Sequence, residues 1–222
     1  MAEFRVHITQ AKYNEGLAEH LLDNSYHDWA ITVCFYAAIH YFEARLFLEY
    51  SENPRKHTDT SIPVDQNGNQ ENTPHRWRSD LVRRVCPKSA YKSFINLKQI
   101  SEWSRYLIQT SGSTGSCSNF LPEPAHLYFS SEDVIRAQRK LQEMKVGCKV
   151  DLAELIHELE LEQSTDVLTA TIISQKLLQN FGTPEELLQG GRQGLIRILW
   201  IDAVEILEER LAAKGYGFTK PT

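Results

Sequence analysis

The sequence predicts an all-α protein. Three observations carry the prediction. Apolar residues recur at spacings of three and four along most of the chain. Helix-capping signals precede several of these runs. No stretch shows the alternating pattern of a convincing strand. The expected architecture is a helical bundle over residues 1–146, carrying long loops at 51–73 and 110–130, and an additional C-terminal helical region over 147–222.

The first helix is expected from Ala11 to Leu22, where Leu17, Leu21 and Leu22 share a face and Asp23, Asn24 and Ser25 end the run. Asp28 can cap a second, longer helix reaching Tyr50. From Trp29 to Leu48 nearly every residue is apolar, so this helix belongs at the centre of a bundle. Its polar residues Thr32, Tyr36, His40 and Glu43 are spaced 4, 4 and 3 and form one stripe. Residues 51–73 break the composition with Asn, Asp, Gln, Gly and Pro.

Pro74 can open a third helix that Pro87 stops or kinks. A fourth is expected over 89–109, with Tyr91, Phe94, Leu97, Ile100, Trp103 and Leu107 on one side. The SGSTGSCS stretch at 111–118 reads as a flexible linker. Ser130 and Asp133 form a capping signal for a helix to about Lys145, with Gly147 beyond it. Asp151 can cap a short helix to Glu162, and residues 164–166 open another to Phe181. Thr183-Pro184-Glu185-Glu186 combines an N-cap Thr, Pro at N1 and a Glu reaching back. Gly190-Gly191 is expected to break that helix, and a last one runs from about Arg192 to Lys214, with Gly215 as its C′ residue.

The chain has 222 residues, 41% of them hydrophobic and 24% charged, enough apolar material for a substantial core. A formal net charge of −5 repels nucleic acid, so any such contact needs a local basic patch. The first ten residues lack the apolar core of a secretory signal, and the uncharged run 29–42 is shorter than the roughly 20 residues that span a bilayer. Cys34, Cys86, Cys117 and Cys148 are widely spaced, which reads as reduced thiols in a cytoplasmic protein.

The segment from Asp28 to Ala44, with its W-A … F-Y-A-A-x-H-Y-x-x-A run, resembles the long second helix of uncharacterised prokaryotic HEPN-like proteins. His75-Arg76-Trp77-Arg78 with Val82 resembles the start of the third helix in that family, and Ser101 to Tyr106 its S-x-x-x-R-Y ending. The resemblance covers roughly residues 5–145. It implies an antiparallel HEPN-like bundle that often dimerises, in a family found in RNA processing, toxin–antitoxin pairs and antiviral defence. Catalytic members of the family cleave RNA without a metal through an R-x(4–6)-H motif at a dimer groove. That motif is absent here: Arg55 and His57 are too close, and His75 precedes Arg76 and Arg78.

His75, Arg76, Arg78, Arg83 and Arg84 form the densest basic cluster. One reading makes His75 and Arg78, at i and i+3, a catalytic or phosphate-facing pair, with Arg76, Arg83 and Arg84 binding nucleic acid. The other makes the cluster a solvated basic face. Tyr36, His40, Glu43 and Arg105 are expected to form a buried polar network that sets helix register, with Arg105 paired to Glu43; the other reading has His40 donate to Glu43 and be held for catalysis. Two ligands at His40 and Glu43 are too few for a metal, and no metal or cofactor is expected. Leu177 to Leu188 resembles the trailing half of a helix-hairpin-helix motif without its Gly-rich hairpin, in acidic surroundings.

The leading expectation is an accessory or interaction subunit of an RNA-linked or defence system. It would act with a protein partner or as a homodimer, with RNA contacted through a local basic patch and no membrane association. One alternative is a metal-independent endoribonuclease using His75 with Arg78 or Arg76. Another is a purely structural helical adaptor.

Overall fold

The computed structural model describes residues 2–49, 74–106, 108–110, 117–120 and 124–218. Its described residues are overwhelmingly helical, in the order α1 (Ala2–Asp23), α2 (His27–Glu49), α3 (Pro74–Val85), α4 (Lys88–Tyr106), β1 (Ile108–Thr110), β2 (Cys117–Phe120), α5 (Ala125–Tyr128), α6 (Ser131–Gly147), α7 (Val150–Glu158), a 3₁₀ turn (Leu161–Gln163), α8 (Val167–Asn180), α9 (Pro184–Ile196) and α10 (Ile201–Ala213). The fold class is all-α. The expected loop at 51–73 lies outside the described residues.

The described residues divide into two compact units, one of residues 5–43 and 74–148, the other of residues 2–4, 44–49 and 149–218. In the first, α2 is the central element: Ile31, Cys34, Phe35, Ala37, Ala38, Tyr41 and Phe42 are all buried. The α1–α2 turn closes because Ser25 takes a left-handed φ of 63°. Its N–H reaches the Leu22 carbonyl, and the Tyr26 N–H reaches that of Leu21, which satisfies carbonyls at the end of α1. Helices α4 and α6 pack antiparallel. A Cβ on Gly147 would collide with the Ala90 side chain, so the α6 terminus approaches α4 through bare backbone. Ser93 donates to Glu143 farther along the same interface. Glu15 of α1 ties in two more helices, accepting from Tyr41 of α2 and from Gln142 and Lys145 of α6.

The second unit is closed by terminal capping. Lys149 precedes α7 at a left-handed φ of 53°, and its ammonium donates to the Leu178 and Phe181 carbonyls at the end of α8. Arg210 of α10 donates to the Leu159 carbonyl at 2.6 Å and reaches Glu160 at 3.3 Å. Leu152, Leu159, Ile173, Leu177, Leu187, Leu195, Val204 and Leu207 supply the apolar core.

Several local expectations hold. Asp133 accepts from the Ser130 N–H at 3.0 Å, and Gly215, at φ 81°, ends α10 with its N–H on the Ala212 carbonyl and that of Tyr216 on the Leu211 carbonyl. Thr183 accepts from the Glu186 N–H, but Glu186 reaches back to the Gly182 N–H, at 2.6 Å, rather than to Thr183.

Other expectations are corrected. Helix α1 starts at Ala2, not Ala11, because Phe4, Ile8, Ala11 and Ala18 extend a buried stripe past charged neighbours. Asp28 lies inside the first turn of α2 rather than at its cap. Helix α4 stops at Tyr106, and the chain then forms an antiparallel ladder pairing Ile108 with Phe120 and Gln109 with Asn119. Strands of 3 and 4 residues are too short to show alternation. The α4 face is also rotated: Ala90, Ser93, Phe94, Leu97, Ser101 and Ser104 are buried, while Tyr91, Ile100 and Trp103 are half-buried. Lys149, not Asp151, stands at the cap of α7. Gly191, at φ 56° and ψ −169°, interrupts the helical path of α9 as expected, but no single helix then runs from Arg192 to Lys214: the chain breaks again at 197–200, before α10.

Candidate functional site

A polar cluster from three helices lies in the first unit. Arg78, in the second turn of α3, points inward, and its Nε donates to Glu43 Oε1 of α2 at 2.8 Å. Both side chains are shielded, with 13% and 7% exposure. One turn before Glu43, His40 meets His7 of α1, Nδ1 to Nδ1, at 3.0 Å. Such a contact holds one proton between two nitrogens, so the rings adopt complementary tautomers when neutral.

Burial sets the electrostatics of this cluster. Desolvation, then the neighbouring His40 and then Arg78, push His7 down to about 4. His40 is lowered first by burial and then by the Arg78 charge. Glu43 is raised by burial, which outweighs the hydrogen bond and charge of Arg78. At neutral pH His7 is an uncharged base. A neutral imidazole is a poor general acid, and Arg78 directs its Nε to Glu43.

The basic cluster of α3 therefore divides. Arg83 and Arg84 are exposed, roughly 120–140° round the helix from Arg78. Arg83 makes an ion pair with Asp80 at 3.5 Å. The side chains of His75 and Arg76 lie outside the described residues.

The expected buried network of Tyr36, His40, Glu43 and Arg105 separates into two places. Glu43 takes Arg78, not Arg105. Tyr36 is 38% exposed and accepts from Arg105 Nη1 at 3.0 Å. The helix spacing explains the split. Trp29, Val33, Tyr36 and His40 follow one outward line on α2, whereas Thr32 and Glu43 are buried beside it. Thr32 bonds Ser104 of α4 at 2.8 Å. This brings the C-terminal end of α4 alongside α2 and sets Arg105 against Tyr36.

The result is an aromatic–arginine surface. The Arg105 guanidinium lies 5.6 Å from the Tyr36 ring centroid and 5.0 Å from that of Tyr106. Its Nε donates to the Ser101 carbonyl at 3.1 Å. Tyr106 and Trp29 are both more than half exposed.

One participant, and the exposure of two others, escaped sequence reasoning. His7 was missed because α1 was expected to begin after it; the Phe4–Ile8–Ala11 spacing was the available signal. The exposure of Trp29 and Tyr36 was masked by the apolar composition around them. In the other unit, within the segment that resembles the trailing half of a helix-hairpin-helix motif, the Gly182 N–H donates to Glu186.

Among the described residues, no group of three or more His, Cys, Asp or Glu side chains is placed to hold a metal. No described helix is long and apolar enough to cross a membrane. No protein-family model, curated protein or solved structure matches the chain.

Proposed function

We propose that the chain is a HEPN-like interaction subunit of a prokaryotic RNA-linked or defence system, working with a protein partner or a second copy and not as an efficient catalyst. The Arg78–Glu43 pair carries this reading. RNA cleavage needs a cation facing the scissile phosphate and a group able to protonate the leaving oxygen. Arg78 instead spends its Nε on a buried carboxylate, and the neighbouring His7 is held uncharged. The Tyr36–Arg105–Tyr106 surface supports the interaction role, because exposed aromatic and arginine side chains are the residue types that dominate binding hot spots.

A metal-independent endoribonuclease is the second reading; its expected His75 and Arg76 side chains lie outside the described residues, and its support comes from a different pair. His7 and His40 sit together within the field of Arg78, so a general base and a cation are near each other. The two readings part in one experiment. Single-stranded RNA is incubated with the full chain in EDTA, and association state is followed in parallel by light scattering. The interaction reading expects no protein-dependent cleavage, and self-association or partner binding weakened at least tenfold by Tyr106→Ala. Cleavage abolished by His75→Ala or His40→Ala would replace it with the enzyme reading.

A further inference from the structure

Cys86 and Cys148 bring their sulfurs to 3.9 Å, although 62 positions separate them in sequence. Cys86 follows the last turn of α3, and its N–H bonds the Val82 carbonyl at 2.9 Å. Cys148 caps α6, with its N–H on the Met144 carbonyl at 2.8 Å. The surrounding backbone is fixed independently of the thiols. Gly147 lies hard against Ala90, and a Cβ there would stand 3.7 Å from Pro87 Cδ. The residues next to both cysteines therefore lie close together. A disulfide has its sulfurs about 2.05 Å apart, so closure needs less than about 2 Å of approach.

We propose that Cys86 and Cys148 are a thiol–disulfide modification site, oxidised to an intramolecular disulfide by a low-molecular-weight disulfide such as that of glutathione. Cys86, at 8% exposure against 0% for Cys148, is the sulfur that meets the oxidant. Its thiolate attacks one sulfur of the small disulfide and expels one small thiolate. Cys148 then loses its proton and attacks Cys86 Sγ, and the second small thiolate leaves. Two protein thiols lose two electrons and two protons, and one small disulfide becomes two thiols.

The attacking species is the thiolate, so oxidation accelerates with alkalinity. Cys34 does not compete, since burial first and the Glu15 charge second push its thiol up to about 12.

The test uses the full folded chain with oxidised glutathione at about pH 8.5, followed by alkylation and non-reducing peptide mapping. The expected result is a mass loss of two hydrogens, a Cys86–Cys148 cross-linked peptide, and reversal by dithiothreitol. Closing a loop this long should raise the melting midpoint by roughly 5–15 °C. Cys34→Ser should retain the cross-link, and Cys148→Ser should abolish it. Any of three outcomes on the wild-type chain would overturn the proposal: both cysteines still alkylatable after denaturation, a stable glutathione adduct on Cys86 alone, or a dominant cross-link through Cys34 or Cys117.

Discussion

Replacing Glu43 with Gln preserves volume and removes the charge that Arg78 faces. The two side chains are 13% and 7% exposed, so water cannot fully take over from the lost carboxylate. Breaking a buried ion pair from one side costs about 3–5 kcal/mol. The residual exposure of Arg78 places the expected loss near the lower end, about 3 kcal/mol. Set against a typical stability of about 5–15 kcal/mol, that is readily measured. Removing both charges together, as Glu43→Leu with Arg78→Met, leaves no orphaned ion. That double variant should lie within about 1 kcal/mol of wild type, giving a coupling of at least about 2 kcal/mol in the cycle. Urea unfolding followed by far-UV circular dichroism of wild type, Glu43→Leu, Arg78→Met and the double variant supplies all four corners, with Glu43→Gln as the volume-preserving companion. A Glu43→Gln variant within about 0.5 kcal/mol of wild type, or a double variant no more stable than the single, would refute the assignment of this pair as the centre of the cluster.

Acid should destabilise the protein through its histidines. His7 is depressed in the folded state to about 4 from an ordinary 6.5, so its contribution is present above about pH 6.5 and is lost as pH falls towards 4. Discounted for partial exposure, the loss is about 2 kcal/mol; thermal melts across that range measure it, and NMR titration of the His7 ring should show Arg78→Met moving its midpoint upward. Gly147→Ala forces α6 away from Ala90 and should cost about 1–3 kcal/mol, read as a lowered urea midpoint at unchanged slope. Lys149→Met strands the Leu178 and Phe181 carbonyls at the end of α8 and should cost about 1–2 kcal/mol, seen as faster amide exchange in the last turn of that helix.

Helix identity was legible wherever local chemistry decides it. The Ser130–Asp133 and Thr183–Pro184 starts and the Gly215 stop are written in adjacent residues, and the backbone follows them. What sequence could not supply is which face of a nearly uniform apolar helix turns outward. On α2 the answer depends on the position of α4, which the Thr32–Ser104 bond helps to set and which local composition does not encode. Buried serines on α4 misled for a related reason. Ser93 and Ser104 find partners on other helices, so their polarity marks contact rather than solvent. Arg78 and Arg105 exchanged expected roles because either could reach the α2 stripe by composition; only the rotation of α3 assigned Glu43 to the former. The break at Gly191 is announced by its glycine pair, whereas the second break, before α10, has no Gly or Pro to announce it.

The placement of Arg105 has a consequence for recognition kinetics. Long side chains usually surrender about 0.5–1.5 kcal/mol of rotamer freedom each when a complex immobilises them. Here folding has already restricted one, through a carbonyl bond to Ser101, a phenol bond to Tyr36 and contact with two rings. A ligand arriving at this surface meets a guanidinium whose direction is set in advance. Its residence time would benefit accordingly, since ordering already present in the unbound state is not lost again on binding. Tyr106→Ala would loosen that arrangement without touching a charge. The expected signature is faster dissociation with an almost unchanged association rate.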